Sequence, residues 1–182
     1  MTPYTIVVLV SWIVFTLVWR LAARSAKPSR KSLNWLTRTG LRVAVAVAVV
    51  LLIRDHDLAR VHQTTGAVAF AGCVLCLSGI AFMMWARYSL GKNWGMPMTL
   101  RVDPELVTLG PYAFVRHPIY SGMFVTMLGT ALVVPIYWVV ALFSSVYFVV
   151  SAVREEHDML AQFPEPYGAY RKRTKMFFPF LF

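Results

Sequence analysis

Charge is what this sequence has least of. Only 14% of its 182 residues are Asp, Glu, Lys or Arg, and the acidic share is eight residues. A water-soluble domain of this size carries roughly a quarter charged residues, so a soluble globule and a disordered chain are both excluded. Cysteine is nearly absent as well. The pair Cys73 and Cys76 offers no framework for disulfides. The C-x-x-C spacing lacks the second ligand pair that zinc needs, so small residues packing a helix is the better reading. A metal site at His56 and His62, beside Asp55 and Asp57, is a weak alternative. No phosphate-binding glycine loop, nucleophile elbow or H-E-x-x-H helix is present.

Apolar residues are abundant: 58% of the chain, with a mean hydropathy of +0.61. Uncharged runs occupy residues 2–19, 66–86 and 119–153. A bilayer core about 30 Å thick takes about 20 helical residues, so the first two runs predict one span each. The third run, 35 residues long, predicts two helices turning near Pro135. The first run has no basic segment before it and no small-residue cleavage site after Trp19, which argues against a cleaved signal peptide. Residues 43–53 form a shorter apolar stretch, either an interfacial helix or a span whose flanking cations snorkel.

The basic residues decide between these. If residues 43–53 span, sixteen of the eighteen Lys and Arg fall on one side and only Arg54 and Arg60 on the other. If they do not, the split is nine against nine. The positive-inside rule selects the first arrangement. The expected fold is all-α: five transmembrane helices with a C-terminal helical hairpin, the N-terminus outside and the C-terminus cytoplasmic. Residues 87–118 and 154–182 then lie on the cytoplasmic side with six of the eight acids, and a site built from this loop and tail follows. The basic excess reads as orientation and headgroup contact, and nucleic acid is excluded as a partner.

Three clusters carry candidate chemistry. Arg116, His117, Pro118, Ile119 and Tyr120 stand at the start of the fourth helix, where free N–H groups and two cationic side chains attract an anion. Headgroup anchoring is the plain alternative. Glu155 and Glu156 follow Arg154; if the fifth helix continues through Leu160 they are interior, about 100° apart. One would face a ligand, or both would simply be solvated acids. Tyr167 and Tyr170, three apart, form either an aromatic wall or part of an interfacial belt.

Taken in order, four stretches resemble the isoprenylcysteine carboxyl methyltransferase family of integral membrane enzymes. They are Leu90-Gly91-Lys92-Asn93-Trp94, Glu105 through Tyr112, Arg116-His117-Pro118-Ile119-Tyr120-Ser121-Gly122, and Glu155-Glu156 through Phe163, Tyr167 and Tyr170. The likeness covers residues 88–182, the expected catalytic core, with residues 1–87 supplying the first three helices. It implies S-adenosylmethionine as cofactor, held by Glu105, Leu106, Val107, Tyr112, His117, Pro118, Ile119, Tyr120 and Glu155. Arg116, Glu156 and Tyr120 are the expected catalytic groups, and the reaction is in-line methyl transfer to a lipophilic acceptor. That acceptor is an isoprenylcysteine-like carboxylate or another small lipophilic nucleophile. Three positions depart from the family pattern: Pro97 replaces a Gln, Pro104 a His, and Ser151 an Arg associated with the acceptor. Two rivals stand beside this reading. One is an NADPH-dependent membrane reductase resembling the sterol reductases, with Lys92, Arg101 and Arg171 to Arg173 on the extra phosphate. The other is a non-enzymatic membrane scaffold.

Overall fold

The computed structural model describes residues 2–27, 29–31, 64–95, 100–101 and 105–179. The expected span at residues 43–53, the acids and histidines of the outer loop, and the departures at Pro97 and Pro104 lie outside the described residues. In chain order the elements are α1 (Pro3–Ala23), β1 (Ser29–Lys31), α2 (Gly66–Leu90), β2 (Leu100–Arg101), α3 (Pro118–Val133), α4 (Tyr137–Gln162) and α5 (Pro164–Arg173). Short 3-10 turns cover Gly91–Asn93 and Gly110–Ala113. The two strands form one short antiparallel pair, the only sheet among the described residues.

Helices α1, α2 and α4 are long and apolar enough to cross a membrane. Their outward faces carry residues that water would not tolerate in such number: Ile13, Leu17 and Leu21 on α1, Phe70 and Leu77 on α2, Leu142 and Val146 on α4. Helix α3 is apolar but only 16 residues long, about 24 Å at 1.5 Å per residue and short of a bilayer core. Pro118 fixes its start, and its end falls at Val133, just before the turn containing Pro135. The hairpin expected near Pro135 is present, with residues 134–136 joining α3 to α4.

The core is a seam between α2 and α3 in which backbones touch. A Cβ on Gly129 would lie 2.4 Å from Cys76 N and 2.5 Å from Gly72 O; one on Gly79 would lie 2.6 Å from Thr126 N and 2.7 Å from Gly122 O. Both helices repeat glycine at a spacing of seven, so one stripe of each faces the other. Cys73 and Cys76 are buried in this seam, as the small-residue reading expects. Helix α1 packs Val8 against Cys73, Cys76 and Val133. It is also tied to α3 by the Trp12 indole N–H, which donates to Thr130 Oγ1 at 3.0 Å. Within lipid such a bond has little competition from water.

At the α2 end that carries the loop, the buried Arg87 satisfies carbonyls of two different helix ends. Its guanidinium donates to Gly91 O and to Ala22 O, each at 2.6 Å, and lies 4.8 Å over the Trp94 ring. A cation at helix C-termini is favoured by their partial negative charge. The following loop returns at Gly110, whose φ of +62° and close approach to Ser89 Oγ (2.5 Å from a notional Cβ) leave glycine as the fitting residue.

Candidate active site

The turn into α3, the last turns of α4 and the tail after α5 converge on one another. Pro118 occupies the first helical position, where its missing N–H costs nothing, and His117 is the residue before it. The chain after α5 then runs beside this turn. Val115 and Lys175 form a parallel bridge, Arg116 N donates to Lys175 O at 2.8 Å, and His117 N donates to Met176 O at 3.0 Å. The Ser121 hydroxyl adds a bond to Phe177 O. Residues 175–177 thus brace the start of α3 on three consecutive carbonyls.

Helix α4 continues to Gln162, so Glu155 and Glu156 are interior to it and both reach this turn. Tyr120 Oη donates to Glu155 Oε1 at 2.6 Å, and Glu155 Oε2 stands 3.6 Å from His117 Nδ1. Glu156 is the more buried of the two, with a side chain 4% exposed. Its Oε1 accepts from Arg116 Nε at 2.6 Å, and its Oε2 faces Arg171 Nε at 3.3 Å. His117 Nε2 lies 3.5 Å from Glu156 Oε1, yet it is buried and makes no hydrogen bond of proper alignment. The imidazole stacks on the Tyr120 ring, planes 2° apart and centroids at 5.5 Å. Phe177 and Phe148 flank these rings at 5.9 Å from His117 and 5.0 Å from Tyr120.

Arg116 is turned inward. Besides Glu156 it donates to the carbonyls of Arg171 and Thr174, at the C-terminal end of α5. It therefore clamps helix ends together, in place of the open anion-binding corner that its position in the sequence implied. Of the tyrosines offered as belt or wall, both are buried and face each other at 5.8 Å. Tyr170 Oη donates to Tyr112 O at 2.6 Å. Burial, opposed by the Arg116 charge, pushes the Tyr170 phenol up to about 12. Tyr112 and Tyr167 are raised further, again chiefly by burial.

The expected cofactor residues divide into two groups. His117, Tyr120 and Glu155 meet directly, with Pro118 buried beneath them and Ile119 packed against the Tyr120, Ala152 and Phe177 cluster. Glu105 is exposed and fixed elsewhere: Lys27 Nζ approaches Oε1 at 3.0 Å, Asn93 Nδ2 donates to Oε2 at 3.2 Å, and Glu105 N donates to Asn93 Oδ1. Those donors hold its carboxyl below the usual carboxylate range. Leu106 and Val107 are half-buried beside it, and Tyr112 is buried. Thr174, Phe148 and Phe177 belong to the cluster and were not singled out by sequence; Arg171, which the sequence offered only to the extra phosphate of the reductase alternative, belongs to it as well. Ser151 is buried, its hydroxyl donating to Tyr147 O at 2.8 Å.

Comparison with known proteins adds to this geometry. The sequence profile of the phospholipid methyltransferase family matches residues 67–165. The nickel-cobalt-cadmium resistance protein NccN of Alcaligenes xylosoxydans xylosoxydans is 29% identical over 80% of this chain and 67% of its own. Methanethiol S-methyltransferase 1 of Bradyrhizobium diazoefficiens is 29% identical over 72% of this chain and 46% of its own. Mouse protein-S-isoprenylcysteine O-methyltransferase is 30% identical over 98% of this chain and 52% of its own. The chain thus spans two thirds of the first and about half of the other two. Among solved structures, the eukaryotic intramembrane Ras methyltransferase, isoprenylcysteine carboxyl methyltransferase, superposes with a TM-score of 0.56 at 24% identity. That match covers 82% of this chain and 55% of the other, and it establishes a shared fold.

Proposed function

The chain belongs to the phospholipid methyltransferase family, and we propose that it is an integral membrane enzyme that methylates a lipophilic acceptor with S-adenosylmethionine. The observation that carries this reading is the meeting of His117, Tyr120 and Glu155 across the α3–α4 junction. In this reading residues 88–182 are the catalytic core and residues 1–87 supply the first helices. On the same reading the N-terminus is outside and the core opens to the cytoplasm.

The residues fit the cofactor. His117 Nε2 is a buried polar atom left without a hydrogen bond, which a ligand would satisfy. The Tyr120 and Phe177 faces suit a sulfonium by cation–π attraction, and the Glu155 carboxylate suits an amino group or ribose hydroxyls. When bound, the cofactor supplies an electrophilic methyl carbon on a positively charged sulfur. His117, Tyr120 and Glu155 orient it, with Glu105, Leu106, Val107 and Tyr112 lining the loop side. Arg116 and Glu156 hold the α3 entrance in place. The aromatic cluster excludes water from the reacting atoms, so most of the rate comes from alignment in a dry cleft.

The acceptor is a carboxylate of the isoprenylcysteine type or another lipophilic nucleophile, reached from the bilayer. The mouse relative is named for the first and the Bradyrhizobium relative for a small thiol. The test is to incubate membranes holding the protein with methyl-labelled cofactor. Label in a lipid-extractable or prenylated product, dependent on the chain, is the expected outcome. Absence of any chain-dependent label across thiol, carboxylate and lipid acceptors contradicts the proposal.

A further inference from the structure

We propose that Arg171, on the last turn of α5 and outside the stretch matched by the family profile, is a positioning residue for this site. The inference rests on the methyltransferase reading above.

Glu156 is held from both oxygens by two cations that arrive from different elements. Arg116, on the turn before α3, takes Oε1 at 2.6 Å, and Arg171, from α5, faces Oε2 at 3.3 Å. A carboxylate 4% exposed cannot rotate freely between these anchors. Its Oε1 therefore stays 3.5 Å from His117 Nε2. The second face of the imidazole's environment is set by Glu155 at 3.6 Å from Nδ1. Two carboxylates on consecutive residues of α4 bracket one histidine, and Glu156 is itself clamped by two arginines.

The clamp also has a mechanical side. Arg116 donates to the backbone carbonyls of Arg171 and Thr174, so the same pair of residues locks α5 to the α3 entrance through side chain and backbone. The tail that follows, residues 175–177, then braces Arg116 and His117. Arg171 thus acts through Glu156 on His117. Its side chain is half exposed, at 51%. Removing it therefore leaves no buried cation unpaired, and the fold is expected to survive.

The experiment compares Arg171→Ala, Arg171→Gln and Arg171→Lys with Lys172→Ala, an exposed neighbour on the same turn. Two readouts are used in detergent: binding of S-adenosylhomocysteine by calorimetry, and the melting temperature as a check on folding. An exposed arm of an ion pair acting on a buried carboxylate gives about a 3- to 10-fold loss of affinity in the Ala and Gln variants. Lys, which keeps the charge, is expected to restore most of the loss, and Lys172→Ala to bind as wild type, with melting temperatures unchanged throughout. Wild-type affinity in Arg171→Ala overturns the inference, as does equal recovery by Gln and Lys. If the wild-type chain itself binds no S-adenosylhomocysteine, the methyltransferase reading has failed instead, and the two failures are distinguishable.

Discussion

Substituting Gly129 by alanine tests the seam on which the site is mounted. The added Cβ would sit 2.4 Å from Cys76 N and 2.5 Å from Gly72 O. Both obstacles are backbone, so neither can swing aside. Ordinary contact begins near 3.4 Å, and α2 and α3 must therefore part by about 1 Å. A radial gap of that size forfeits about a quarter to a half of each dispersion contact along the seam. Overpacking of this kind costs about 1–3 kcal/mol, against a gain of at most about 1 kcal/mol from replacing glycine within a helix. A net loss of about 1–2 kcal/mol corresponds to a melting point lower by about 2–8 °C for a chain of this length. Gly79→Ala meets Thr126 N and Gly122 O in the same way, and Gly122→Ala meets the buried Met83 Cγ at 2.5 Å and the Gly79 carbonyl O at 2.8 Å, so both are expected to lower the melting point as well. Gly168→Ala, on α5 with nothing within 4 Å, should raise the melting point. The assay follows from the same seam: Cys73 and Cys76 are the only cysteines and both are buried, so labelling by a thiol-reactive dye during heating reports its opening. If Gly129→Ala melts with Gly168→Ala, at or above wild type, the backbone-contact account is wrong.

Two further predictions concern the cluster. The Tyr170 phenol is raised to about 12 from an ordinary 10, so its contribution is complete below pH 10 and is lost as pH rises through 12. The two-unit difference amounts to about 2–3 kcal/mol. Tyr170→Phe should remove that part of the alkaline slope, read from melting temperatures between pH 9 and 12; parallel profiles for the two proteins would contradict the assignment. Glu156→Leu leaves Arg116 buried with its carboxylate gone and should cost about 3–5 kcal/mol, while adding Arg116→Leu should recover part of the stability. Thermal unfolding of both variants checks this, and a double variant no more stable than the single one would argue against the pair as the source.

Much of the helix plan was legible because it depends on long apolar runs alone. The turn at Pro135 is of this kind, since proline acts locally; the continuation of α4 past Glu156, through charged residues, stood in the sequence only as a condition. The meeting of His117 with Glu155 was legible only through the order of motifs, because no property of either residue fixes the partner. Asn93, read as part of a motif, turns out to hold Glu105 from both its amide N and O. What stayed hidden rests on backbone. The brace from residues 175–177 uses main-chain carbonyls, which leave no side-chain signature. Arg87 looks like any cytoplasmic cation until the Ala22 carbonyl of a distant helix is brought to it. The inward turn of Arg116 was missed for a related reason: an arginine before a helix start reads as free until its carboxylate and carbonyl partners are known. The glycine seam did carry a signal, the shared spacing of seven in Gly72/Gly79 and Gly122/Gly129, but a spacing alone does not say which helices meet.

Calorimetric titration of S-adenosylhomocysteine into the detergent-solubilised protein and its Glu155→Ala variant, with NADPH as the competing ligand, tests the central claim most directly. The account predicts stoichiometric binding to wild type, a loss of about tenfold or more in the variant, and no binding of NADPH. Wild-type affinity in Glu155→Ala, or preference for NADPH, would contradict it.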